Sequence, residues 1–284
     1  MTEKSAFRNF AIFIVFFWIL AFVFFPNLLV LVASFMERDE IRLIRPVFSL
    51  ENYRKLSDPI FFRIFTNSFF YAFITTLLCL LISYPFAYML TNVPRKLRKF
   101  LLMLVILPFW TSSLIRTYSL IILLKANGLL NTLLIRLGLI EKPLSILYTD
   151  MAVFIGLVYA LLPFMILPLY AAFEKLDKRL LEAASDLGAG TFQIFAKVIV
   201  PLTMPGIISG CILVFLPALG LFYIPDLLGG AKSMLIGNFI KNQFLTARAW
   251  PFGSAASVIL TLVMGLLLYA YYQSLRKFNA SVME

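Results

Sequence analysis

Six long apolar runs, joined by short polar connectors, limit what this chain can fold into more than any other feature of it. About 20 apolar residues cross a bilayer core as a helix. Residues 10–36, 67–90, 151–173, 206–228 and 254–272 are such runs, and a sixth begins at Phe100. That sixth run ends near Leu114 or continues to Leu124 with Arg116 at membrane depth; the sequence leaves both open. Lipid offers backbone groups no partner, so spans of this kind are helices. The expected fold class is an all-α membrane protein with six transmembrane helices, forming a single transmembrane domain over residues 1–284.

Composition agrees with lipid as the solvent. The chain is 62% hydrophobic and 14% charged, against roughly 45–50% and about 25% in soluble domains. That balance excludes an ordinary cytosolic globule and a disordered chain. The net charge of +11 comes from short basic clusters between apolar runs, not from a basic stripe on a polar domain. Nucleic acid is therefore not an expected partner. Cys79 and Cys211 lie inside apolar runs and read as small hydrophobes. The chain has no His, which excludes His triads and His metal sites, and no metal site is expected.

The run 10–36 is longer than a signal-peptide core and shows no small-residue cleavage site, so it reads as a retained first helix. An even number of spans puts both termini on one side. Total Lys and Arg do not decide which. The linker 91–99 does, because it carries Arg95, Lys96, Arg98 and Lys99 with no acid. By the positive-inside rule that linker and both termini are cytoplasmic. Residues 128–140 carry Leu at helical spacing but are broken by Asn131 and Arg136, as in an amphipathic helix at an interface. Pro26, Pro85, Pro108, Pro163, Pro168, Pro217 and Pro225 fall inside five spans. Broken helices lie against protein or water rather than lipid. Proline is also commoner in membrane helices generally. Trp18 and Trp250 read as interface anchors.

The most informative stretch is the cytoplasmic loop 174–205. Leu176, Leu180, Ala184 and Leu187 form one apolar helix face, with Lys178, Glu182 and Asp186 on the other. Gly188, Ala189 and Gly190 break the helix, and glycine suits a left-handed cap there. Thr191 is placed to cap a second helix, 192–200, that stops at Pro201. The result is a helix–turn–helix hairpin suited to insertion in a partner's groove.

Glu182-Ala183-Ala184, three further residues, Gly188, and Pro201 thirteen positions on resemble the E-A-A-x3-G-x9-I-x-L-P loop of ABC-importer permeases. Val198 and Val200 stand where the pattern has Ile and Leu. The stretches 107–120, 161–170, 201–232 and 236–244 resemble permeases for spermidine and putrescine. The resemblance implies the MetI-like six-helix permease fold and an ATP-driven polyamine importer in the inner membrane. It implies as partners a second, related permease subunit, two copies of a cytoplasmic ATPase and a periplasmic substrate-binding protein. It assigns ATPase coupling to Glu182, Ala183, Ala184 and Gly188, and a bulky or charged residue at Gly188 is expected to break the turn.

ATP and Mg2+ are expected on the partner ATPase, with no cofactor and no catalytic residue in this chain. A phosphate-binding loop needs G-x4-G-K-[ST] after a strand. Gly229-Gly230-Ala231-Lys232-Ser233 lacks Gly directly before Lys and reads as a turn. A polyamine site needs carboxylates for the ammonium groups and aromatic faces for the methylene stem. Asp226 is the best candidate, because an ionisable group at membrane depth is a functional hypothesis by default; capping a helix at the outer interface is its other reading. Trp110, mid-span beside Thr111, Ser112 and Ser113, is the second, against a packing role. Tyr223 and Tyr118 are weaker candidates. Arg116 would repel a cation, so it is expected to pair with an acid or face outward. Another small cationic or organic solute is the alternative substrate. An ion-coupled secondary transporter would want paired intramembrane acids or inverted repeats, and neither is visible. An intramembrane enzyme would want a His or a Ser/Asp dyad within the spans.

Overall fold

The computed structural model describes residues 2–39, 41–230 and 233–283. Six of its helical segments are long and apolar enough to cross a membrane: Arg8–Ser34, Pro59–Asn92, Ser113–Arg136, Asp150–Glu174, Thr191–Gly220 and Trp250–Ser274. Contacts group the chain into two compact units, Met1–Arg63 with Phe239–Leu267 and Ile64–Asn238 with Leu268–Glu284.

In the first unit, α1 (Thr2–Ile19) and α2 (Phe25–Ser34) are joined by a π-helical turn, Leu20–Phe24. Pro26 cannot donate to the carbonyl four residues back, and its ring crowds that carbonyl. The widened turn lies where the ladder must loosen. Trp18 lies ten residues inside this span, 60% exposed, its ring tilted against Phe22 with 4.3 Å between centres. A hairpin follows, β1 (Met36–Asp39) antiparallel to β2 (Leu43–Phe48). Asp39 accepts from the backbone N–H groups of Ile41 and Arg42 at 2.8 and 2.7 Å. Those bonds, Arg42's foremost, hold its carboxyl below the ordinary value. The short α3 (Glu51–Lys55) brings Asn52 under the hairpin, where its amide donates to the carbonyls of Ser34 and Met36 at 3.1 and 2.8 Å. A chain end leaving a helix needs such partners for its last carbonyls.

In the second unit, α8 (Asp150–Glu174) is the central element. It packs against α11 (Val200–Gly220), which turns Gly206, Gly210, Val214 and Ala218 inward at four-residue steps. Lipid supplies no hydrophobic drive between helices, so close approach over small residues replaces it. A Cβ on Gly206 would stand 2.5 Å from the Ala172 Cβ and 2.9 Å from the Pro168 carbonyl oxygen. A Cβ on Gly210 would stand 2.6 Å from the Met165 sulfur.

α4 (Pro59–Asn92) begins eight residues before the expected second span, and α5 (Arg95–Ile106) starts after Pro94. The four bases of the expected linker therefore lie in the first turns of α5 and only the bend before it is a connector. The third span also departs from expectation. α5 ends in a 3-10 turn, Leu107–Trp110, the backbone is extended at Thr111 and Ser112, and α6 (Ser113–Leu124) starts afresh. Pro108 lacks the donor an α-helix needs there. α7 (Leu129–Arg136) is shorter than the 128–140 expected, but exposes Leu129, Leu133 and Leu137 as one apolar stripe. Buried Asn131 fastens it, accepting from Leu144 N–H and donating to the Lys125 and Leu144 carbonyls. The expected fifth span, 206–228, is displaced: α11 ends at Gly220, and Pro225–Gly229 is a separate π-helical turn. Of the expected 229–233 turn, Ala231 and Lys232 lie outside the described residues, and Gly230 has φ +64°. α12 (Ile236–Leu245) and α13 (Trp250–Met283) complete the chain, with Trp250 at the first position of the last span.

Candidate functional site

The hairpin expected in 174–205 is built by α9 (Lys178–Asp186) and α10 (Thr191–Ile194). Asp177 caps α9, accepting from the Arg179 N–H at 3.0 Å. At the other end Gly188 takes φ +81°. Its N–H reaches the Ser185 carbonyl at 2.9 Å, and the Ala189 N–H reaches Ala184 at 3.0 Å. That pair of bonds is a Schellman cap, which a left-handed glycine makes cheap. Nothing lies within 4 Å of a Cβ built on Gly188. The glycine requirement within the chain is thus one of backbone angle rather than of room: a bulky residue strains the turn through its φ, a β-branched one most of all.

Two further details differ from the sequence reading. Gly190 rather than Thr191 is the N-cap of α10, extended at ψ 160°, with its N–H bonded to Gln193 Oε1 at 3.2 Å. The second helix does not stop at Pro201. It passes through a π turn, Phe195–Ile199, and becomes α11. The widened turn spans Lys197, whose carbonyl Pro201 would otherwise crowd. The hairpin is therefore continuous with a membrane span.

Its apolar face is uncovered. Leu187 is 89% and Phe192 80% exposed at the turn. Glu182 and Ala183 are exposed and Ala184 half-buried. Glu182 also edges a polar cleft of about 460 Å3 shared with Arg98, Glu174 and Lys178. Behind the hairpin, Phe195 meets Tyr84 edge-on at 5.8 Å, and the Tyr84 hydroxyl bonds Thr203 at 2.9 Å. Arg98 pairs with Glu174 at 3.5 Å, and Tyr170 donates to the same carboxylate at 2.7 Å. The Tyr84–Phe195, Tyr84–Thr203 and Arg98–Glu174 contacts escaped the sequence reading because each joins residues far apart in the chain.

The substrate candidates are spread over three places. Trp110 ends the 3-10 turn at the α5–α6 break, 80% exposed, rather than lying mid-helix. Tyr118 is on α6, 55% exposed. Asp226 and Tyr223 flank Pro225 beyond α11. Tyr223 packs partly against the core cluster of Leu157, Ile224 and Leu228. Half-buried Asp226 accepts a hydrogen bond from the amide of buried Asn238, which also donates to the Phe222 carbonyl at 2.8 Å. Asn238 was not singled out in the sequence. Arg116 makes no ion pair among the described residues; its guanidinium lies 5.9 Å from the ring centres of both Phe109 and Tyr159.

The family model described as "binding-protein-dependent transport system inner membrane component" matches residues 80–278. This chain belongs to that family. It is a multi-pass inner-membrane permease. It is 52% identical to the spermidine/putrescine transport system permease protein PotB of Salmonella typhimurium over 284 residues, all of this chain and 99% of that protein. It is 55% identical to the Escherichia coli K12 protein of the same name over 265 residues, 93% and 96% of the two chains. The permease also matches a chain from a crystal structure of a bacterial alginate ABC transporter in complex with an alginate pentasaccharide-bound periplasmic protein. The TM-score is 0.78 at 18% identity, covering 97% of this chain and 96% of that one. That likeness supports the MetI-like fold. Membership of a binding-protein-dependent family removes the secondary-transporter and intramembrane-enzyme readings.

Proposed function

We propose that the permease is one of two related membrane subunits of an ATP-driven polyamine importer. It supplies half of the translocation path as a single permease domain, with both termini cytoplasmic. A separate ATPase dimer binds ATP and Mg2+, and a periplasmic binding protein delivers spermidine or putrescine. The observation that carries the coupling part is the Gly188 hairpin, apolar at its tip and continuous with α11. A shift of the hairpin in an ATPase groove would move α11, and with it the α8 contact at Gly206 and Gly210. The polyamine part is supported by identity of 52–55% along the whole chain to proteins named for that substrate. The test is uptake of labelled spermidine and putrescine by vesicles holding the complete complex. Uptake that requires ATP and is competed by either polyamine supports the reading, and polyamine-independent ATP turnover without uptake rejects it.

Two substitutions examine the path. Asp226→Asn removes a charge but keeps the shape that Asn238 contacts. Uptake at low spermidine is expected to fall about tenfold, as for loss of about 1.4 kcal/mol of binding, with basal ATP hydrolysis retained. An unchanged uptake curve would return Asp226 to a structural role. Trp110→Ala is expected to raise the half-saturating polyamine concentration severalfold, since an aromatic–cation contact contributes about 0.5–2 kcal/mol. A fall in maximal rate at constant half-saturation would instead mark Trp110 as packing.

A further inference from the structure

Arg116 lies in a candidate membrane span and makes no ion pair among the described residues. It contacts Tyr159, which lies nine residues from the Asp150 end of α8 and fifteen from the Glu174 end. At 1.5 Å per residue those are about 14 Å and about 22 Å, well inside a core about 30 Å thick. Its Nε is buried and has no hydrogen-bond partner among the described residues. The rings of Phe109 and Tyr159 attract the guanidinium but accept none of its five N–H groups as a carboxylate does. Charged residues within spans ordinarily pair or face water.

Beside Tyr159 runs an apolar groove of about 600 Å3 between α4 and α8. Met151, Ile155 and Tyr159 expose one face of α8 along it, with Ile82 of α4 opposite. Polar lining is almost absent, so the groove suits a helix or an acyl chain, not a polyamine. The depth of Arg116 favours the helix, because a lipid phosphate sits at the surface of the core. We propose that this groove docks a helix of the second permease subunit, and that a carboxylate on that helix completes the pairing of Arg116. The inference rests on the two-permease reading above. It also accounts for an arginine in a cation importer, since a neutralised Arg116 does not repel the cargo.

The test uses the complete complex, with this chain tagged and purified in mild detergent. Arg116→Lys is expected to retain the second permease, Arg116→Gln to lose at least fivefold of it, and Arg116→Glu to lose more. Reversal of one acidic residue to Lys in the second permease is expected to restore retention with Arg116→Glu. Retention equal to the unaltered chain in the Gln and Glu variants would overturn the proposal. So would recovery of the Gln variant on adding phosphatidylglycerol vesicles, which would assign the site to lipid phosphate. A photo-crosslinking residue at Ile155 keeps the test open if the Arg116 variants do not insert. An adduct with the second permease is expected, and adducts with lipid alone overturn the proposal. If no second permease accompanies even the unaltered chain, the two-permease reading itself fails.

Discussion

Gly188→Val is expected to lower ATP-driven uptake at least tenfold while the chain inserts normally and Gly188→Asn keeps most of the activity. The two variants differ in what they demand of the backbone. Gly188 sits at φ +81° with open space around its Cα. A left-handed conformation costs an ordinary residue about 1–2 kcal/mol, more for a β-branched one, and least for Asn or Asp. That sum is decisive here because α9 has nine residues and an uncovered apolar face. Helices this short are marginal without packing, so a strained cap shifts the hairpin towards unravelled forms. Uptake and ATP hydrolysis, measured together, read the coupling. If Asn fails as completely as Val, the ATPase groove excludes any side chain at this position and backbone angle is not the cause. If both variants work, the turn is not the coupling element.

The hairpin was legible because its signals are local. A four-residue apolar step, a glycine at its end and a downstream proline need no tertiary knowledge. The errors around it have a common physical source. Proline reads as a stop, yet Pro201 and Pro26 each follow a π-helical turn that carries the helix through. In water such a ladder defect would expose backbone groups to competition; in a membrane span the surrounding turns hold it together. Pro108 does the opposite and ends α5, because extended residues Thr111 and Ser112 follow it. Composition alone does not separate these outcomes. The spacing of Gly206 and Gly210 was present in the sequence as a small-residue pair, but which helix it approaches is a tertiary fact. The same holds for Asn238 at Asp226, which is twelve residues away across a turn.

Gly206→Leu is expected to cause the largest loss of stability of any single change in the second unit, and graded substitutions at Gly206 and Gly210 locate the reason. Both glycines face α8, but what they meet differs. A Cβ at Gly210 collides with the Met165 sulfur, the end of a flexible side chain. A Cβ at Gly206 collides with the Ala172 Cβ and with the Pro168 carbonyl, which is backbone and cannot step aside. Overpacking costs about 1–3 kcal/mol when neighbours can adjust, and here the helices must separate along their length, which opens contacts at Val214 and Ala218 as well. The expected order of thermal stability in detergent is therefore wild type, Gly210→Ala, Gly206→Ala, Gly206→Leu, with the last aggregating or being degraded before purification. Equal effects of alanine at the two positions would mean that the Pro168 backbone yields as readily as the Met165 side chain. A stable Gly206→Leu protein would mean that α8 and α11 are not held by close approach. In that case α11 could not transmit hairpin motion to α8 through this contact, and the coupling route would have to run through the Tyr84–Phe195 brace instead.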